Sequence, residues 1–300
     1  MSAPEATETD APPPVDGAVK PTRRAFLRRS AAAATAAATG TFLYTWRVEP
    51  HWVEIVRRDL PIANLPTPLA GARLVQLSDL HAGPIVDQSY LLATAEKVAE
   101  LQPDMLALTG DFMSCCGDES VPKALQVVQR LPQPRLGSVA ILGNHDYGSG
   151  WQRNEVAKAL ADGMRDSGVH VLRNEVVDVA GLQIGGVDDY WTRHFQPAAM
   201  LEQLDPARPA LALCHNPDGV DQPEWESFQG WILAGHTHGG QCKAPWLRPP
   251  ILPVRNKRYV AGAYDLAAGR QLYINRGLGY LHRVRFNCRP EITVFTLRQA

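Results

Sequence analysis

Between residues 72 and 238 the chain repeats one pattern: a short apolar run, then a polar island. The runs cover residues 72–77, 105–108, 139–142, 210–213 and 231–234. Each is too short and too uniformly apolar for an amphipathic helix and reads as a buried strand. The islands that follow are Asp79-Leu80-His81, Gly110-Asp111, Gly143-Asn144-His145-Asp146, Cys214-His215-Asn216 and Gly235-His236-Thr237-His238. Residues 89–101, 121–131 and 155–167 carry apolar positions at helical spacing, the first stopping before Pro103. Residues 48–61 read as an opening strand, and 271–275 and 292–297 as late strands. Short alternating runs between 169 and 187, punctuated by Asn174 and Gly181, predict a strand and a hairpin. Residues 197–204 and 218–228 read as short helices. Parallel-type units mixed with hairpins favour two packed sheets with helices outside over one doubly wound sheet. Polar side chains at successive strand C-termini are how such a fold builds a site.

The N-terminus follows different rules. Residues 2–21, rich in Ala, Pro, Thr and acids, lack an apolar period and read as a disordered leader. Then Thr22-Arg23-Arg24-Ala25-Phe26-Leu27 precedes an Ala-rich, weakly apolar run to Trp46. Paired arginines before such a run resemble a twin-arginine export signal. Residues 1–47 are therefore expected to be a leader with either a cleaved signal or an uncleaved membrane anchor. Residues 48–300 are expected to be one catalytic domain. The protein would be exported by the twin-arginine machinery to the periplasm or cell wall, or to the outer face of the cytoplasmic membrane.

Composition narrows the classes. The chain has 300 residues with 30 Lys/Arg and 31 Asp/Glu. The leader holds six and four of these, leaving 24 and 27 in the domain. That balance argues against a nucleic-acid partner. The five cysteines are Cys115, Cys116, Cys214, Cys242 and Cys288. They are odd in number and without Cys-x-x-Cys spacing, which indicates neither a zinc ribbon nor a disulfide framework.

The islands supply the chemistry. In an extended segment, Asp79 and His81, two apart, would point to one side. Asp111 can bridge two ions through its two oxygens. Asn144 offers a carbonyl oxygen, and His215, His236 and His238 offer imidazoles. Nitrogen and oxygen donors without thiolate suit Mn, Zn or Fe.

Taken in this order, each after a β-run, these motifs resemble the calcineurin-like metallophosphoesterases, over residues 72–297. Gly239-Gly240-Gln241, Asn275-Arg276-Gly277-Leu278-Gly279 and Arg289-Pro290-Glu291 are similar to the YkuE-like bacterial branch. The resemblance implies a four-layer α/β/β/α sandwich of two mixed β-sheets flanked by helices. It also implies two divalent metal ions as cofactors. Asp79, His81 and His238 would hold the first, Asn144, His215 and His236 the second, and Asp111 would bridge them. A hydroxide generated between the ions would hydrolyse phosphomono- or phosphodiester bonds. His145 would move a proton to the leaving oxygen, with Asp146 orienting it. Ser114 stands where iron-tyrosinate relatives carry Tyr, so no purple ferric centre is expected.

Two further islands stay without a role: Asp188-Asp189, with Trp191, His194 and Phe195 after it, and the Pro-rich stretch 246–253. The second would rim the site and meet acyl chains or a membrane surface, or else pack on the core. Arg193, Arg276 and Arg283 are candidates for phosphate contact. Some relatives act on lipid-linked pyrophosphates such as UDP-2,3-diacylglucosamine, which makes a membrane-surface lipid pyrophosphatase the second enzymatic reading. A metal-binding interaction scaffold is the non-enzymatic one, although such scaffolds tend to lose ligands that are all present here.

Overall fold

The structure is a computed structural model that describes residues 22–114 and 119–300. The expected disordered leader, residues 2–21, and the adjacent Cys115 and Cys116 lie outside the described residues. The chain divides into two units, Met1–Phe42 and Leu43–Ala300. In the first, helix α1 (Arg23–Leu43) buries none of its residues. Among the described residues, no helix is long and apolar enough to cross a membrane.

The second unit begins earlier than residue 48. Thr45 is buried and its carbonyl accepts from the Arg285 N–H at 3.0 Å. The opening strand starts later than expected: residues 44–48 form a wide π-helical turn and 49–51 a tight 3-10 turn, and β1 runs Glu54–Ile62. Pro50 has no N–H to give a ladder, and the buried Glu49 carboxylate accepts from the Cys288 N–H instead.

Two six-stranded sheets form the centre. The remaining strands are β2 (Arg73–Leu77), β3 (Met105–Thr109), β4 (Ser138–Ile141), β5 (Val169–Val171), β6 (Glu175–Val179), β7 (Leu182–Gly186), β8 (Ala210–Leu213), β9 (Gly230–Ala234), β10 (Gly262–Asp265), β11 (Arg270–Ile274) and β12 (Glu291–Gln299). One sheet has the order β1-β12-β2-β3-β4-β5 and the other β10-β11-β9-β8-β7-β6. Both are mixed: β12 runs antiparallel to β2, β10 to β11 and β6 to β7, while the other pairs are parallel.

Strand alternation assigns each side chain to a layer. Val75, Leu77, Leu106 and Leu108 pack under the helices α2 (Gln88–Glu100), α3 (Ser120–Arg130) and α4 (Asn154–Asp166). Their neighbours Leu74, Met105 and Ala107 face inward against Ile184, Leu211, Leu213 and Leu233 of the second sheet. The outer face of that sheet, through Ala212, Ile232 and Ile274, packs on Met200 of α5 (Pro197–Leu201), Trp225 and Phe228. The result is the four-layer α/β/β/α sandwich. Where one helix was expected over 218–228, two short turns appear, Pro217–Asp221 and Pro223–Ser227, because Pro223 cannot donate to a continuing helix.

Candidate metal centre

Five strand ends converge at one edge of the sandwich. Asp79 and His81 follow β2, Asp111 follows β3, and Asn144 and His145 follow β4. From the other sheet, His215 follows β8, and His236 and His238 follow β9. Gln76, buried in β2, crosses between the sheets just behind this edge, donating through Nε2 to the Ala234 carbonyl at 2.9 Å.

The donors do not reach the centre by strand pleating. Asp79, His81, Asp111, His236 and His238 all have left-handed backbone, with φ between 48° and 69°. Such φ values are uncommon for non-glycine residues and cluster at functional sites. The expectation that Asp79 and His81 converge through an extended segment is corrected accordingly: β2 has ended at Leu77 and the turn geometry aims both inward. Gly110, at φ 92°, makes the approach feasible, since a Cβ there would lie 2.6 Å from the Gly143 nitrogen and 2.7 Å from His215 Nδ1.

Two adjoining donor sets result. In the first, His81 Nε2 and His238 Nε2 are 2.9 Å apart, and Asp79 Oδ1 lies 3.3 Å from His238 Nε2. In the second, His215 Nε2 lies 3.3 Å from His236 Nδ1. Asp111 stands between them, its Oδ2 3.2 Å from His215 Nε2 and 3.6 Å from His81 Nε2. Asn144 is fully buried with no hydrogen-bond partner on either amide atom.

Outer contacts set the tautomers. His215 Nδ1–H donates to the Thr109 carbonyl at 2.6 Å, leaving Nε2 as the lone pair. His236 Nε2–H donates to the Pro253 carbonyl at 2.9 Å, leaving Nδ1. The His236 backbone N–H donates to Asp79, and the His145 N–H to Asp111 Oδ1 at 2.9 Å.

Electrostatics agree with a cation site. Burial, then the charge of neighbouring His215, lowers the His236 pKa to about 3, so its imidazole is neutral. Burial likewise holds His81 well below the usual histidine range. Burial also opposes charge on His215, but Asp111 overrides it and raises that pKa well above normal. Proton and metal compete for this lone pair. Apposed imidazole lone pairs, a carboxylate between them and an orphaned buried amide are groups that make sense around cations. The donor sets fit two divalent ions sharing Asp111.

Asp146 departs from its expected part. Its carboxylate accepts from the N–H groups of Phe112 at 2.8 Å, Met113 at 3.2 Å and Gly143 at 2.9 Å. His145 Nδ1 has no partner. Asp146 therefore braces the two ligand loops against each other and does not orient the imidazole. His145 is the most open of the site's imidazoles, 8% exposed, with its ring edge-on to His81 at 4.8 Å.

The chain matches the calcineurin-like phosphoesterase family over residues 72–240. It belongs to that family. It is 32% identical over 279 residues to the phosphodiesterase YaeI of Escherichia coli, covering 92% of this chain and 98% of that protein. It is 31% identical to the metallophosphoesterase YkuE of Bacillus subtilis, with 93% and 98% covered. It is 28% identical to the UDP-2,3-diacylglucosamine pyrophosphatase LpxG of Chlamydia muridarum, with 88% and 95% covered. The chain is a metal-dependent hydrolase of phosphoester bonds.

Sequence reasoning left Asp189 without a role. It is buried beside the site, burial pushes its pKa up to about 7, and its Oδ2 has no partner. The signal was its position directly after β7, like the other islands. Trp191 and Trp151 also join the site. They stack at 4.8 Å, Trp191 edge-on to His236 at 4.5 Å and Trp151 6.2 Å from His145. Of the arginine candidates, Arg276 is committed to Glu291 and Glu54, and Arg283 to Asp87. Arg193 donates to Gln152. Cys214, Cys242 and Cys288 are free thiols.

Proposed function

We propose that Asp79, His81 and His238 hold one divalent ion, that Asn144, His215 and His236 hold the other, and that Asp111 is shared. The observation that carries this division is the position of Asp111 Oδ2, within 3.6 Å of an imidazole nitrogen from each set. Mn, Zn or Fe suits the donors. Bound there, the ions supply Lewis acidity toward phosphoryl oxygens and a nucleophile at neutral pH. The protein's part is to hold the donors rigid, five of the seven on left-handed backbone, and to keep Asp111 aimed through the His145 N–H. The stacked Trp151–Trp191 pair flanks the imidazoles of His145 and His236. His145, the least buried of these imidazoles and with an unpartnered Nδ1, delivers a proton to the leaving oxygen.

The substrate is a phosphate monoester or diester met outside the cytoplasm, after export directed by the paired arginines at residues 23 and 24. Similarity to a UDP-2,3-diacylglucosamine pyrophosphatase supports a second reading, a lipid-linked pyrophosphate cleaved at a membrane surface. The test is purified protein loaded with Mn or Zn and offered a phosphomonoester, bis(p-nitrophenyl) phosphate and a UDP-lipid, with metal content measured in parallel. Two metals and hydrolysis of at least one substrate are expected. Two metals without any hydrolysis would favour an interaction scaffold.

A further inference from the structure

The loop after the last metal motif leaves its apolar residues uncovered. Trp246 is 99% exposed, Leu247 64% and Ile251 78%. Trp246 also has φ 65°, a backbone state that is costly for a bulky side chain. Four prolines, at 245, 249, 250 and 253, reduce the freedom of the loop.

The base of the loop is anchored to the site. The Pro253 carbonyl accepts from His236, and a Cβ on Gly240 would lie 2.2 Å from Pro249 Cβ. On its return, Arg255 N–H and Asn256 N–H donate to Asp218 at 2.5 and 2.9 Å, and Lys257 Nζ donates to the Leu252 carbonyl. The tip is therefore a bare apolar knob on a fixed stem beside the metal centre.

Charge selects what covers it. Between Glu226 and Asp265 there is no carboxylate, but there are five Lys or Arg. Arg248, Arg255 and Arg258 are exposed. A second copy of the chain would bring like charges together around the knob. An anionic bilayer satisfies both features, taking indole and aliphatic groups into the headgroup–acyl boundary while phosphates meet the guanidinium groups.

We propose that residues 243–258 dock the enzyme on bilayers containing anionic phospholipid and thereby present membrane-lipid phosphate esters to the metal centre. The docking half stands on the loop alone; the substrate half rests on the phosphoesterase reading above.

The test uses the full chain with vesicles of phosphatidylcholine, with and without phosphatidylglycerol, and with phosphatidic acid as the lipid phosphate. W246S/L247S/I251S should lower vesicle partitioning by about tenfold or more. It should also slow phosphatidic acid hydrolysis while leaving bis(p-nitrophenyl) phosphate turnover little changed. R248Q/R255Q/R258Q should lose only the preference for phosphatidylglycerol, and that preference should fade in high salt. Quenching of tryptophan fluorescence by brominated lipid should drop in W246F, a readout that other membrane-binding segments do not supply. Unchanged partitioning in the apolar variant together with unchanged quenching in W246F overturns the docking loop. Docking without phosphatidic acid hydrolysis, in a protein active on the soluble diester, overturns the lipid-substrate half. Failure of the metal-loaded wild type on the soluble monoester, the soluble diester and the UDP-lipid alike refutes instead the phosphoesterase reading and leaves the docking result to stand by itself.

Discussion

The backbone N–H of His145 donates to Oδ1 of Asp111 at 2.9 Å, so the loop that carries the proposed proton donor also holds the carboxylate proposed to be shared. Its other oxygen is left to face His215 and His81.

Asp111→Asn keeps the Oδ1 acceptor but replaces the anionic Oδ2. Thermal stability should stay near wild type, while bound metal and turnover both fall, turnover by ~10²-fold or more. Elemental analysis alongside diester hydrolysis checks this. Full activity with two ions retained refutes the shared-ligand assignment.

His145 and Asp146 are adjacent but should fail differently. His145→Ala should keep its metals and its stability and lose about 10²–10⁴-fold in turnover. Asp146→Asn, which disturbs acceptors for three backbone N–H groups, should cost about 1–3 kcal/mol in denaturant unfolding. If Asp146→Asn reproduced the turnover loss at unchanged stability, the carboxylate would be acting on the imidazole after all.

Gly110→Ala meets both a strained φ and a blocked Cβ position. It should destabilise the protein on the order of 3 kcal/mol and lower metal content. Gly71→Ala, at φ 82° but with open space around the new methyl, is the control and should cost only about 1 kcal/mol. Equal losses in the two variants would remove the steric part of this account.

Stability should carry an acid-side dependence from Asp104. Its carboxylate accepts from the Arg73 N–H at 2.8 Å and from Arg135 Nε at 2.8 Å. Partial burial opposes its charge, but these donors prevail and hold the pKa below its ordinary value. A depressed folded pKa stabilises above the unfolded value, about 3.9, and that contribution disappears as pH falls through the folded value. Asp104→Asn should therefore lower the melting temperature at pH 6, with the gap to wild type closing as the pH drops below about 4. A gap that widened in acid would have the wrong sign.

Much of the fold was legible because its periods are local. Three helices were readable to within a residue of α2, α3 and α4, since their apolar spacing reports burial on one face. The strand start at residue 48 misled because Pro50 has no N–H for a ladder and the buried Glu49 answers to Cys288, far along the chain. β10 gave no signal, being a short edge strand with half its residues exposed.

The order of residue types determined the family, the candidate donors and the strand ends that carry them. Only the tertiary structure decided how those donors meet. His236 is set by Asp79, 157 residues away, and by the Pro253 carbonyl, while His215 takes its tautomer from Thr109. Asp146 lost its expected partner because three backbone donors from two loops surround it. The apolar loop at 246–251 could pack or project on its sequence alone. A sequence records which groups are available, whereas left-handed turns and the packing of two sheets determine which of them lie within bonding distance.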